Sequence, residues 1–220
     1  MAVCRGGGLF PGMKGRFGNA ILVPYGDDLI LREAPGRSEP RSAEQVHAQD
    51  RQRRGAQLWR NLDEEAVAAW AAYAKRNPLP PKADGTPGST RKDNVFGSLS
   101  MRYQLVHGPV APPWMPPAPT FLGDAIGVSV SPLEPCLTVV ADGANAPGVV
   151  TQILVQSLAG RNRRTYLEKY VHARIVTFTP DHLSERIESK KGWAAAAYRF
   201  IKADTGQATA LVEMGKFEVI

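Results

Sequence analysis

Cysteine is almost missing from this chain of 220 residues, which contains only Cys4 and Cys136. Two thiols so far apart allow at most one disulfide, suit a reducing compartment and exclude a thiolate metal site. Long apolar runs are missing as well, so no segment is expected to span a bilayer and no membrane partner is expected. The opening MAVCRGGGLFPG lacks the apolar core of a secretory signal. Histidine is scarce, and His47, His107, His172 and His182 stand at no ligand spacing with one another or with either cysteine. There is no Gly-x-Ser-x-Gly elbow and no arguable Cys–His pair, so the sequence nominates no catalytic residue, no metal site and no cofactor. The chain is therefore not expected to be an enzyme. It shows no internal repeat.

Glycine and proline, by contrast, are plentiful at 21 and 18 residues, and they punctuate the chain. Residues 1–18, MAVCRGGGLFPGMKGRFG, have little to bury and read as a flexible Gly-rich arm that orders on a partner. Next, NAILVPYGDDLILREAPG reads as a hairpin with strands Ala20–Val23 and Leu29–Arg32 and a turn over Pro24–Asp28, where Pro24 confines the first strand to an edge or its own end. Ser42 with Gln45 forms a capping box before a helix over residues 43–60. Its face Val46, Gln49, Arg53, Ala56 and Trp59 is not cleanly apolar, and Gly55 weakens it. A sharper helix follows: Asp63 caps it, Glu64 and Glu65 suit its positive end, Lys75 and Arg76 close it, and Asn77-Pro78 stops it. Val67, Trp70, Ala71 and Ala74 make its apolar stripe. After the polar loop NPLPPKADGTPGSTRKDN, the spacing of Phe96, Leu99, Tyr103 and Val106 predicts a third helix that ends at Gly108.

Residues 109–119, PVAPPWMPPAP, hold six prolines in eleven positions and read as a semi-rigid linker between domains. Beyond it the hydrophobic period changes to two. AIGVSVSP, CLTVVAD, VVTQILVQSL, YVHARIVTFT, WAAAAYRFIKAD and ATALVEMGKFEVI read as short strands, the last two joined by a turn around Gly206. The expected fold is α+β. It places a hairpin-plus-helices domain over residues 19–108 before an antiparallel β-sandwich of immunoglobulin or fibronectin-III type over residues 120–220.

Net charge is +6 and uneven: 16 Lys/Arg face 11 Asp/Glu in residues 1–110, against 11 and 10 in residues 111–220. A basic first half permits contact with nucleic acid or another acidic surface. The densest clusters are Arg51, Arg53 and Arg54 in DRQRRG and Arg161, Arg163 and Arg164 in RNRRTY, the candidate phosphate or acidic-surface contacts. Glu185 and Glu188 fall at a polar, helix-like spacing and read as charged surface. Tyr25-Gly26-Asp27-Asp28 has the form of the metal-binding hairpin of viral RNA polymerases. Such enzymes need far more chain, and almost nothing precedes this one to supply a palm strand, so it reads as a hairpin turn. GLFPGMKGRFGN is no phosphate loop either: no strand precedes it, and Lys14 is followed by Gly15. Trp59 and Trp70 flank the turn between two helices and read as core.

The middle of the chain, QDRQRRGAQLWRNLDEEAVAAWAAYAKR followed by NVFGSLSMRYQLVHG and a proline run, resembles a group of phage and prophage-type structural proteins. Trp59, Leu62, Trp70, Phe96 and the prolines carry the likeness, and the hairpin FGNAILVPYGDDLILRE fits it. The resemblance implies a virion protein assembled in the host cytoplasm, with copies of itself and other virion proteins as partners, and it transfers no catalytic residue. Arg5, Phe10, Lys14, Arg16 and Phe17 would then form an assembly arm. The alternative is a nucleic-acid-binding accessory protein that uses the basic half.

Overall fold

Tyr25 pairs with Asp28 at the end of a hairpin near the start of the chain. In the computed structural model the described residues are 2–5, 15–17, 20–25, 28–33, 43–80, 87–133, 136–189 and 191–219. Strands β1 (Ala2–Arg5), β2 (Gly15–Phe17), β3 (Ala20–Tyr25) and β4 (Asp28–Glu33) form one antiparallel sheet in the order β1-β4-β3-β2. The hairpin is longer than its sequence suggests, because Pro24 and Tyr25 still pair with Leu29 and Asp28. A proline survives there because β2 pairs β3 only from Ala20 to Leu22, so Pro24 has no second neighbour needing its missing N–H. Of the arm expected over residues 1–18, only residues 2–5 and 15–17 are among the described ones. Its ends are strands whose backbone groups pair with β4 and β3, a gain that glycine content alone does not forecast. The turn Gly26-Asp27, Phe10, Lys14 and the Ser42 cap lie outside the described residues.

Helices α1 (Ala43–Arg60), α2 (Glu64–Arg76) and α3 (Lys92–His107) follow the expected punctuation. The Ala66 N–H donates to Asp63 Oδ1 at 2.8 Å, closing the α2 cap, and Gly108 ends α3 at φ 77°. Trp70, Tyr73, Ala74, Val95, Phe96 and Leu99 form the helical core, with Leu58, Trp59 and Leu62 packed against it. The face expected for α1 is wrong by part of a turn. Val46, Gln49, Arg53 and Ala56 are exposed, and Gly55 is the buried position. A Cβ there would come within 3.2 Å of Ser100 Oγ, so this glycine is the point of close approach to α3, not a defect.

Seven strands follow the helices: β5 (Val128–Leu133), β6 (Cys136–Ala141), β7 (Val149–Leu158), β8 (Val171–Val176), β9 (Ser184–Glu188), β10 (Gly192–Lys202) and β11 (Val212–Val219). They make two antiparallel sheets, β5-β6-β9 and β11-β10-β7-β8. One apolar cluster draws on both: Leu137, Val139 and Ile187 from the first, and Ile153, Val176, Ala194, Ala196 and Val219 from the second. β9 corrects the reading of Glu185 and Glu188 as helix-like. With Ile187 as its only deeply buried residue, an edge strand of this kind leaves no two-residue apolar pattern to read. Cys136 is buried with a free thiol.

By its contacts the chain divides into two compact units, residues 1–46 and 47–220. The second unit contains the α2–α3 core, the proline-rich run and all seven later strands. No described helix is long and apolar enough to cross a membrane.

Candidate interaction surfaces

Residues 109–119 lie against the helices instead of bridging open space. Trp70, buried on α2, donates its indole Nε1–H to the Trp114 carbonyl at 3.0 Å. At the far end, Gln207 Nε2 donates to the Pro119 carbonyl at 2.9 Å and to the Tyr73 hydroxyl at 3.1 Å. Pro112, Pro113, Met115 and Pro117 close over Trp70 and Phe96, leaving a cavity of only about 10 Å³. Proline supplies the extended backbone and needs no N–H partner, so two carbonyl contacts suffice to hold the strap. What it presents outward is apolar: Trp114 and Met115 are each 44% exposed, and Val110 is 50% exposed.

The tip between β10 and β11 ties the strands to the helices. Gly206 lies at φ 73°, and its carbonyl accepts from Arg102 Nε of α3 at 2.8 Å. His107 lies 2.8 Å from the Ala203 carbonyl. Arg199 of β10 donates its Nε–H to Gln152 Oε1 at 2.7 Å, and Gln152 in turn lies 3.3 Å from His172 Nδ1. Burial and the positive charge of Arg199 push the Arg102 guanidinium down to about 9, and burial also lowers Arg199. Arg102 therefore stays charged at neutral pH, without a carboxylate to offset it among the described residues.

The two expected arginine clusters sit on different elements. On α1, Arg54 Nε donates to Gln104 Oε1 at 3.0 Å, Arg53 lies 3.7 Å from Asp50, and burial with the Arg54 charge lowers Arg51. In the β7–β8 loop, Arg161 lies over the Trp193 ring at 5.8 Å and Arg164 over the Tyr166 ring at 6.0 Å. Lys216 Nζ donates to the Arg163 carbonyl at 2.7 Å and the Arg161 carbonyl at 3.4 Å, steadying that loop. Of the expected assembly arm, Arg5 belongs to β1, and Arg16 and Phe17 to β2.

Sequence reasoning missed Arg102 and Arg199, since no local pattern joins residues so far apart. It also missed the polar layer in which Gln104 Nε2 donates to Ser100 Oγ at 3.0 Å. Glu185, assigned to surface, is mostly buried and takes Arg174 at 2.8 Å and His182 at 3.0 Å. Among the described residues no three His, Cys, Asp or Glu side chains converge as metal ligands would. No protein-family model matches the chain, and no curated protein or solved structure is significantly similar to it.

Proposed function

We propose that this chain is a non-enzymatic structural component of a phage-like virion, a capsid-decoration, head-closure or tail-associated protein. It would act through contacts with its own copies and with other virion proteins. The observation that supports this reading is the strap. Tryptophan and methionine are enriched in the buried centres of protein interfaces, and here Trp114 and Met115 are held out on a backbone already fixed by Trp70 and Gln207. Ordering that would otherwise oppose association is complete before a partner arrives. The strand order also favours the finer fold. The first, second and fifth strands of the C-terminal part form one sheet and the other four a second, the division of a fibronectin-type sandwich, a scaffold common in surface and assembly proteins.

The test is mass spectrometry of particles purified by density gradient from lysates of the source organism. The chain is expected at stoichiometric copy number beside a major capsid or tail protein, and a Trp114→Ala, Met115→Ala double variant is expected to fold but be depleted from particles. Recovery of the wild-type chain only in the soluble fraction sinks the proposal. A second reading, a nucleic-acid-binding accessory protein, is favoured by the β7–β8 loop, where Arg161 and Arg164 stack on aromatic rings and Arg163 lies beside them. It requires DNA binding that falls steeply with salt.

A further inference from the structure

The sheet β11-β10-β7-β8 has one face in the apolar cluster it shares with the first sheet and one face outside it. Trp193 pairs with Leu158 and Glu218, and Ala195 pairs with Gln156 and Lys216, so these six share the outer face, while Ala194 and Ala196 belong to the cluster. The β7–β8 loop, residues 159–170, lies over that outer face and is pinned to it. Tyr170 packs with Leu154, Ala195 and Ala197. The Tyr166 N–H donates to Gln156 Oε1 at 3.1 Å, and Lys216 Nζ donates to the Arg161 and Arg163 carbonyls at 3.4 and 2.7 Å. The Arg161 guanidinium lies 5.8 Å over the Trp193 ring. Residues 160–170 carry four Lys/Arg against Glu168 alone. Arg161, Arg163, Arg164 and Lys169 are all exposed, and none forms an ion pair among the described residues. Of the carboxylates on β11, Glu213 accepts from the Tyr170 hydroxyl at 3.1 Å and Glu218 stands opposite Trp193.

We propose that the β7–β8 loop and the Trp193 end of β10 form a binding surface for single-stranded nucleic acid. Guanidiniums held against aromatic rings keep their N–H donors free for phosphate oxygens and lose little side-chain freedom on binding. Arg161 to Arg164 spans at most ~11 Å of chain, the reach of a short run of phosphates. The rings decide which polyanion fits. Tyr166 is 39% exposed and flanked by Arg164 at 6.0 Å and Lys169 at 4.7 Å, so a base laid on it finds cations beside it for the adjoining phosphates. A duplex keeps its bases stacked inside and offers these rings nothing, and an acidic peptide has no base to lay on them. The assignment rests on the nucleic-acid reading and deepens it by naming the form of the strand and the residues that meet it. It draws on nothing in the strap.

The experiment is fluorescence-anisotropy titration of a labelled oligothymidylate, and of a duplex of the same length, with the full chain over a range of salt concentrations. The single strand is expected to bind more tightly than the duplex. The logarithm of its affinity should fall with the logarithm of salt at a slope of about −3, from the four loop cations at about −0.7 each. Arg163→Gln, which leaves the carbonyl contact to Lys216 in place, should make that slope shallower by about 0.7. Tyr166→Leu, which keeps the backbone bond to Gln156, should weaken binding at least ~5-fold at unchanged slope. Arg53→Gln on α1 should change neither quantity. If Tyr166→Leu does not fold, the strand preference of the wild type and the Arg163→Gln slope still decide. Duplex binding as tight as single-strand binding overturns the surface, as does an unchanged slope in a folded Arg163→Gln, and either result leaves nucleic-acid binding standing on other residues. Polyglutamate that displaces the oligonucleotide as well as unlabelled strand does also overturns it, in favour of an acidic protein partner. Failure of both oligonucleotides to bind at low salt removes the nucleic-acid reading and this surface together.

Discussion

Gly206 carries two demands that no other residue type meets together. Its φ of 73° is in the left-handed region, and a Cβ there would collide with the Leu99 carbonyl oxygen and come 3.0 Å from the Tyr103 amide nitrogen. The first demand is local and readable, since a turn around a glycine between two strand patterns is a sequence signal. The second depends on α3 lying beneath the tip and leaves no mark in DTGQ. The left-handed strain alone costs about 1–2 kcal/mol for a residue with a side chain. Displacing helix backbone adds about 1–3 kcal/mol on the scale of overpacked cores. Gly206→Ala is therefore expected to lower stability by at least about 2 kcal/mol, read from the denaturant midpoint at unchanged slope. A loss within about 0.5 kcal/mol, the range of an ordinary surface substitution, would show that the tip does not rest on α3. Gly55 makes the same point more gently, because a residue that weakens α1 in isolation lets it approach Ser100.

At the scale of elements, legibility followed the amount of local punctuation. α2 begins and ends where the Asp63 cap, its terminal charges and Asn77-Pro78 place it, α1 spans the expected residues 43–60, and β7 spans the run VVTQILVQSL. β9 escaped because its hydrogen-bond partner β6 defines it, not its own composition. The loop between β7 and β8 is held by a contact equally invisible in sequence: Tyr170, 8% exposed, donates its hydroxyl to Glu213 Oε1 of β11 at 3.1 Å. Burial and then the Glu213 carboxylate raise the Tyr170 phenol above its ordinary value. A phenol ionises near 10 in the unfolded chain. The contribution is thus whole below about pH 10 and is lost as pH climbs from there through the raised value. Tyr170→Phe should cost about 1–2 kcal/mol at neutral pH, the worth of a hydrogen bond to a charged acceptor less the solvation Glu213 regains. It should also make the decline above pH 10 shallower than in the wild type. Parallel alkaline declines in the two proteins would remove the linkage.

For the whole molecule, the partition after Val46 has a direct consequence. Residues 43–220 contain the complete helical core, the strap and both C-terminal sheets, so this fragment should unfold cooperatively by itself, with tryptophan fluorescence and far-ultraviolet dichroism reporting one coincident transition. Two separated transitions, or a fragment that fails to fold, would mean that the first sheet is needed for the rest. By itself the sequence determined the three helices, the β3–β4 hairpin, most of the later strands, the α-then-β order beyond residue 43 and the placement of Trp59 and Trp70 in a core, because caps, breakers and hydrophobic period act over a few neighbouring residues. Only the tertiary structure decided which face of α1 is buried, that the proline run straps the helices, that β9 is a strand, and that Arg102 reaches the Gly206 carbonyl. These depend on contacts between residues far apart in the chain, and no local propensity encodes a partner that the fold has yet to bring near.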